Sequence, residues 1–144
     1  MTDIWAKEKR SEVMSLIRCK NTKPEKVVRS MLHRMGYRFR LHRRDLPGQP
    51  DIVLPKYRAA IFVHGCFWHF HQNCRDGKIP LSNQDYWRPK LDRNARRDEE
   101  SVAALQRAGW NILVVWECEV RKSLPELQEH IQLFFSDIHE STDN

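Results

Sequence analysis

Residues 111–116, Asn-Ile-Leu-Val-Val-Trp (NILVVW), form an almost continuous apolar run in a chain otherwise rich in charge. Such a run reads as a buried central strand, covered on both faces. Upstream, Tyr86 to Ala108 reads as a long helix, with Pro89 in its first turn and Gly109 as its stop. Before that helix, Ala60–His64 reads as a second strand. A strand, a crossover helix and a strand in this order pair in parallel with a right-handed connection. The C-terminal ends of both strands then share one edge of the sheet, where ligands of open α/β sheets gather.

Working outward, a first helix is expected over Lys7 to Arg18, with Val13, Met14 and Ile17 on one face. Asn21-Thr22-Lys23-Pro24-Glu25 starts a second: a Thr cap, Pro in the first turn, and Glu three residues after the cap. Its apolar stripe is Val28, Met31, Leu32 and Met35, and Gly36 ends it. Short strands are expected at Tyr37–Leu41 and Asp51–Leu54, punctuated by Pro47-Gly48 and Pro55-Lys56. A last helix runs from Pro125 to Ile138, and residues 139–144 (HESTDN) read as a frayed tail. The order is α-α-β-β-β-α-β-α over 144 residues, the size of one domain.

With 40% hydrophobic and 31% charged residues, the composition is that of a soluble globular chain. The opening MTDIWAKEKR has charges but no apolar run, so no signal peptide is expected. No stretch approaches the ~18 apolar residues of a membrane span. A net charge of +6 and a pI near 9.4 favour a polyanionic partner, nucleic acid before an anionic membrane, although a merely basic surface gives the same balance. Four cysteines, at 19, 66, 74 and 118, could make two disulfides in a secreted chain. In a reducing cytoplasm, the compartment expected here, clustered cysteines more often hold a metal.

The stretch HGCFWHFHQNC, residues 64–74, concentrates histidine, cysteine and aromatic side chains. Cys66 lies two residues beyond one expected strand and Cys118 two beyond the other, so parallel pairing brings them together. With His71 and Cys74 they make a Cys3His set, a common closed zinc shell that scaffolds rather than catalyses. The plainer alternative is three buried thiols beside a satisfied histidine. Cys19 reads as an ordinary helix residue. His64 and His69 are left outside the set, His64 at the end of its strand.

Two acids interrupt apolar stripes. Asp98 falls in the series Leu91, Ala95, Val102, Leu105, and Glu25 precedes Val28, Leu32 and Met35 on theirs. A carboxylate on a core-facing stripe needs a cation or hydrogen bonds to offset desolvation. Glu25 is equally a helix-start acid, and Asp98 could simply pair with an arginine. Asp51 follows Pro50 at the mouth of an apolar strand, where an acid is disfavoured without a reason. Pro-Asp at that place matches the frame of a metal-dependent nuclease core, in which Mg²⁺ takes a carboxylate, a backbone carbonyl and phosphate oxygens.

Together NTKPEK (21–26), LPGQPDIV (46–53), FVHGCFWH (62–69), Tyr86-Trp87, the Asn94–Asp98 run and VVWEC (114–118) resemble the very short patch repair (Vsr) endonucleases of bacteria, from Arg10 to Arg121. These nick DNA 5′ to the thymine of a T:G mismatch left by deamination of 5-methylcytosine. The resemblance implies an α/β fold of restriction-endonuclease-like (PD-(D/E)xK-type) core, a mixed central sheet flanked by helices, with a structural zinc site. The usual acid and lysine are replaced by Phe62 and His64, as in the Vsr branch. It further implies that Asp51 and the carbonyl of Val63 hold Mg²⁺, that His69 is the general base, and that His64 contacts the phosphate. Glu25 and Asp98 become supporting acids, and Zn²⁺ falls to Cys66, His71, Cys74 and Cys118.

Phe67, Trp68 and Trp87 resemble the family's wedge into the base stack, and residues 1–20 with Met14 its minor-groove arm. Unstacking costs a few kcal/mol per step and is cheapest at a mismatch. The same rings could instead be core, a description that suits Trp110 and Trp116 better. The partner implied is double-stranded DNA with a T:G mismatch, met by a monomer in the bacterial cytoplasm, at the nucleoid, with other mismatch-repair proteins as further partners. Two alternatives remain: a related site- or lesion-specific nuclease, and a non-catalytic zinc-stabilised DNA-binding module.

Overall fold

The structure, a computed structural model, describes residues 22–72, 74–79 and 81–142. The expected first helix, with Met14 and Cys19, lies outside the described residues.

The chain enters α1 (Lys23–Arg34) through the expected cap: the Thr22 hydroxyl accepts from Glu25 N–H at 3.4 Å, and the Glu25 carboxylate accepts from Thr22 N–H at 3.3 Å. Three antiparallel strands follow, β1 (Arg40–Leu41), β2 (Ile52–Leu54) and β3 (Ala59–His64). Helix α2 (Gln84–Arg107) then crosses to β4 (Asn111–Trp116), which pairs with β3 in parallel from Ala59↔Asn111 to His64↔Trp116. Two helices close the chain, α3 (Glu117–Lys122) and α4 (Leu124–Thr142). The mixed sheet, in order β1-β2-β3-β4, packs one face on α1 and α4. Val28, Leu32, Ile52, Ile61, Leu127 and Phe135 form the centre of that core.

Several expectations are corrected. Residues 111–116 form an edge strand, not a central one; β3 holds the centre and is buried at five of its six positions. The apolar run in β4 has another cause: Leu113 and Val115 face the core, while Val114 and Trp116 line a cleft beside α2. Of the expected strand Tyr37–Leu41 only the last two residues pair, because Tyr37 instead stacks on Phe135 with centroids 4.1 Å apart. Pro89 lies inside α2 rather than in its first turn, since a 3-10 turn (Leu81–Asn83) feeds directly into the helix and starts it at Gln84. The short helix α3 was not expected; the Glu119 carboxylate accepts from Trp116 N–H at 3.2 Å and starts it. Helix α4 continues to Thr142 instead of fraying after Ile138, and His139 meets Tyr57 edge-on at 5.6 Å. Among the described residues no helix is long and apolar enough to cross a membrane.

Candidate functional site

Parallel pairing of β3 with β4 places residues 64 and 116 side by side, so the segments that leave the two strands start from one edge of the sheet. From β3 the chain makes a tight loop: His69 N–H donates to the Gly65 carbonyl at 3.1 Å and His71 N–H to the Cys66 carbonyl at 2.9 Å. From β4 it enters α3, whose second residue is Cys118. Cys66, His71, Cys74 and Cys118 each bring one donor atom to within 4.8 Å of all the others. The Cys118 Sγ to His71 Nδ1 separation is 3.6 Å. That matches the edge of a tetrahedron built from bonds of ~2.3 Å to sulfur and ~2.0 Å to nitrogen.

Burial pushes the Cys66 thiol up to about 12 and raises that of Cys118, so these sulfurs become thiolates together only beside a strong positive charge. The donor set fits zinc. His71 stacks on Trp116 at 3.9 Å, which orients its ring. Gly77 passes so close to His71 that a Cβ there would overlap the His71 carbonyl.

Around the other side of the loop lies a second group. His69 Nδ1 is 2.6 Å from the Asp98 carboxylate on α2. One turn earlier on the same helix face, the buried Asn94 donates to the Trp68 carbonyl at 3.0 Å, so α2 grips the loop twice. His64 stacks on His69 with centroids 3.8 Å apart. It is 5% exposed, and its Nδ1 has no hydrogen-bond partner among the described residues. Burial, with His69 adjacent, lowers His64 to about 3, which keeps its imidazole neutral at physiological pH.

Asp51 immediately precedes β2, and its Oδ2 accepts from the Val63 N–H at 2.7 Å. Burial raises its carboxyl to about 6; this hydrogen bond opposes that, and the nearby Glu25 adds to it. Glu25 is fully enclosed, with its Oε1 2.6 Å from Arg29 Nη2 and 3.0 Å from His42 Nε2. Glu25, His42 and Asp51 again have donor atoms mutually within 4.8 Å. A hard divalent cation fits here: two carboxylates converge, and Asp51 holds the backbone of Val63, whose carbonyl was the expected further ligand.

Phe67, Trp68 and Trp87 form an edge-to-face cluster with centroids 5.1–5.9 Å apart. Phe67 and Trp68 are half-buried, whereas Trp87 is only 8% exposed and lies beneath them. Lys90 sits over Trp87 at 5.5 Å.

The structure thus brings together His64, His69 and Asp98, and separately the donors of Cys66, His71, Cys74 and Cys118. His69 lies close enough to Asp51 to favour the charged form of its carboxyl. Two residues of the site escaped sequence reasoning. Asn94 gave a weak signal, a polar residue in the run that carries Asp98. His42 gave none, because a lone histidine after a short strand reads as surface.

Comparison with known proteins gives a consistent answer. The family model of the DNA mismatch endonuclease Vsr matches residues 2–75. The type II nicking enzyme V.XorIIP of Xanthomonas oryzae pv. oryzae is 57% identical over 83% of this chain and 88% of its own length. The DNA mismatch endonuclease Vsr of Escherichia coli is 41% identical over 84% of this chain and 77% of its own length. In fold, the catalytic domain of the homing endonuclease I-Bth0305I superposes with a TM-score of 0.56 at 19% identity, covering 82% of this chain and 98% of that one. On this similarity the chain belongs to the Vsr family of DNA mismatch endonucleases.

Proposed function

We propose that this protein nicks double-stranded DNA 5′ to the thymine of a T:G mismatch by Mg²⁺-dependent hydrolysis of one phosphodiester. The observation that carries this reading is the His69–Asp98 pair, 2.6 Å apart, near the part-buried carboxylate of Asp51.

Asp98 accepts from Nδ1–H of His69 and so fixes the tautomer, leaving the Nε2 lone pair to take a proton from the attacking water. The new bond joins water oxygen to phosphorus, and the bond to the 3′ oxygen breaks. His64 stays neutral and contacts the phosphate as a hydrogen-bond donor rather than as a cation. Asp51, with the carbonyl of Val63, would hold Mg²⁺, and Glu25 supports it through Arg29 and His42. When bound, the cation polarises the phosphate. Phe67 and Trp68 enter the stack at the mismatch, while the buried Trp87 backs them. Cys66, His71, Cys74 and Cys118 would hold zinc, which would pin both sides of that wedge. The enzyme works as a monomer on nucleoid DNA in the bacterial cytoplasm, alongside other mismatch-repair proteins.

The test is strand-resolved nicking of duplexes that differ only in one base pair. A cut beside the thymine of T:G, with Mg²⁺, and none in the matched duplex is expected. Binding of T:G without cutting would leave only a DNA-binding module, and equal cutting of all duplexes would remove the mismatch.

A further inference from the structure

The last residue of β4 stands between two histidines that belong to different groups. One neighbour of the Trp116 indole is His71, whose ring lies parallel to it, with centroids 3.9 Å and planes 8° apart. The other is His64, nearly perpendicular at 73°, with centroids 5.2 Å apart. His64 in turn stacks on His69 at 3.8 Å and 7°. Four rings therefore meet in sequence, from His69, which holds Asp98, to His71 in the cysteine set.

Strand register explains the meeting. His64 and Trp116 are Cα partners in the parallel pair, so their side chains leave the same face of the sheet, toward the cleft beside α2. His64 depends on such neighbours. It is 5% exposed, and its Nδ1 has no hydrogen-bond partner among the described residues, so ring packing, not a hydrogen bond at that nitrogen, sets its tilt. Phe62 and His69, which also pack on it, belong to β3 and its outgoing loop, whereas Trp116 arrives from β4.

Trp116 is itself half-buried at the cleft, where its indole needs a stop. The parallel ring of His71 supplies one, and His71 is placed where Cys66, Cys74 and Cys118 converge.

We propose that Trp116 is the positioning residue of His64: steadied by the zinc-site histidine His71, its indole sets the tilt at which His64 meets the scissile phosphate. The proposal rests on the nuclease reading, which puts His64 at that phosphate. A reacting group displaced by about 1 Å can lose about a hundredfold in rate, so this tilt decides how well His64 works.

The test is a double-substitution cycle on the full chain loaded with zinc. Trp116→Leu should lower the single-turnover rate of T:G nicking by about 10–100-fold, the scale of groups that orient others. In a His64→Ala background the same substitution should cost nothing further, because Trp116 acts through that ring. Trp116→Phe, which keeps a ring, should restore most of the rate, and affinity for the T:G duplex should stay at the parent value in both variants. Zinc release to a chelating dye should quicken in Trp116→Leu, since His71 loses the ring it lies on; unchanged release would overturn the link to His71. Equal losses in both backgrounds, or a normal rate in Trp116→Leu, would overturn the proposal. If Trp116→Leu does not fold, Trp116→Phe takes its place in the cycle, with a smaller loss and the same criterion. A parent that leaves T:G intact counts against the nuclease reading instead. The tilt is then read from the His64 ring-proton resonances at fixed pH, which should move in Trp116→Leu; unmoved resonances would overturn the positioning role.

Discussion

His69 and Asp98, one on the loop after β3 and the other midway along α2, meet at 2.6 Å. The crossover helix is thereby tied to the loop that leaves β3 by the contact that would set the histidine's proton.

That contact predicts a graded loss. His69→Ala should slow nicking by about 10²–10⁴-fold, the usual share of a positioned general base. Asp98→Asn should cost a large part of that, because an amide can present its N–H to Nδ1 and stabilise the wrong tautomer. Single-turnover nicking with saturating enzyme measures both. An Asp98→Asn protein of normal rate would mean that the pair is structural.

Asp51 should cost stability for the sake of binding. Its carboxyl is raised to about 6 by burial, so between about pH 4 and 6 the folded state holds more protons than the unfolded, and stability falls as pH rises through that window. Asp51→Asn keeps an acceptor for the Val63 N–H and removes the charge. At pH 7 without divalent cation it should be more stable by about 1–3 kcal/mol. Denaturant unfolding at pH 7 and at pH 4 checks this; the difference between the proteins should shrink at pH 4. A less stable Asp51→Asn protein at pH 7 would contradict the burial argument.

The zinc shell should bind about one zinc per chain, with metal-dependent folding of the loop. Gly77→Ala, which places a methyl group against the His71 carbonyl, should weaken that retention without changing a ligand side chain. Zinc release to a chelating dye measures both. Retention equal to the parent would show that the loop yields at this point.

Trp68→Ala should lower affinity for a T:G duplex by about 1–3 kcal/mol, the scale of one aromatic–base stacking contact. Affinity for matched DNA should change much less, since unstacking is cheapest at the mismatch. Parallel binding isotherms at one salt concentration measure this. Equal losses on both duplexes would assign Trp68 to general DNA contact.

Much of this architecture was already legible in the order of residues. Thr22, Pro24 and Glu25 announce the start of α1, because capping is a local contact between neighbours in the chain. A strand, a long helix and a strand imply parallel pairing, and equal offsets from the strand ends then bring Cys66 to Cys118. Tertiary structure alone decided the rest. Whether β4 lies at the centre or the edge depends on which strands arrive beside it, and an apolar run covered on both faces looks the same in either place. His42 joins Glu25 only because a left-handed backbone step turns its ring inward, and neither hydrophobic period nor spacing encodes that step. Local chemistry determined the elements and their caps. Folding brought residues distant in sequence into contact, and those contacts determine which acid orients which histidine.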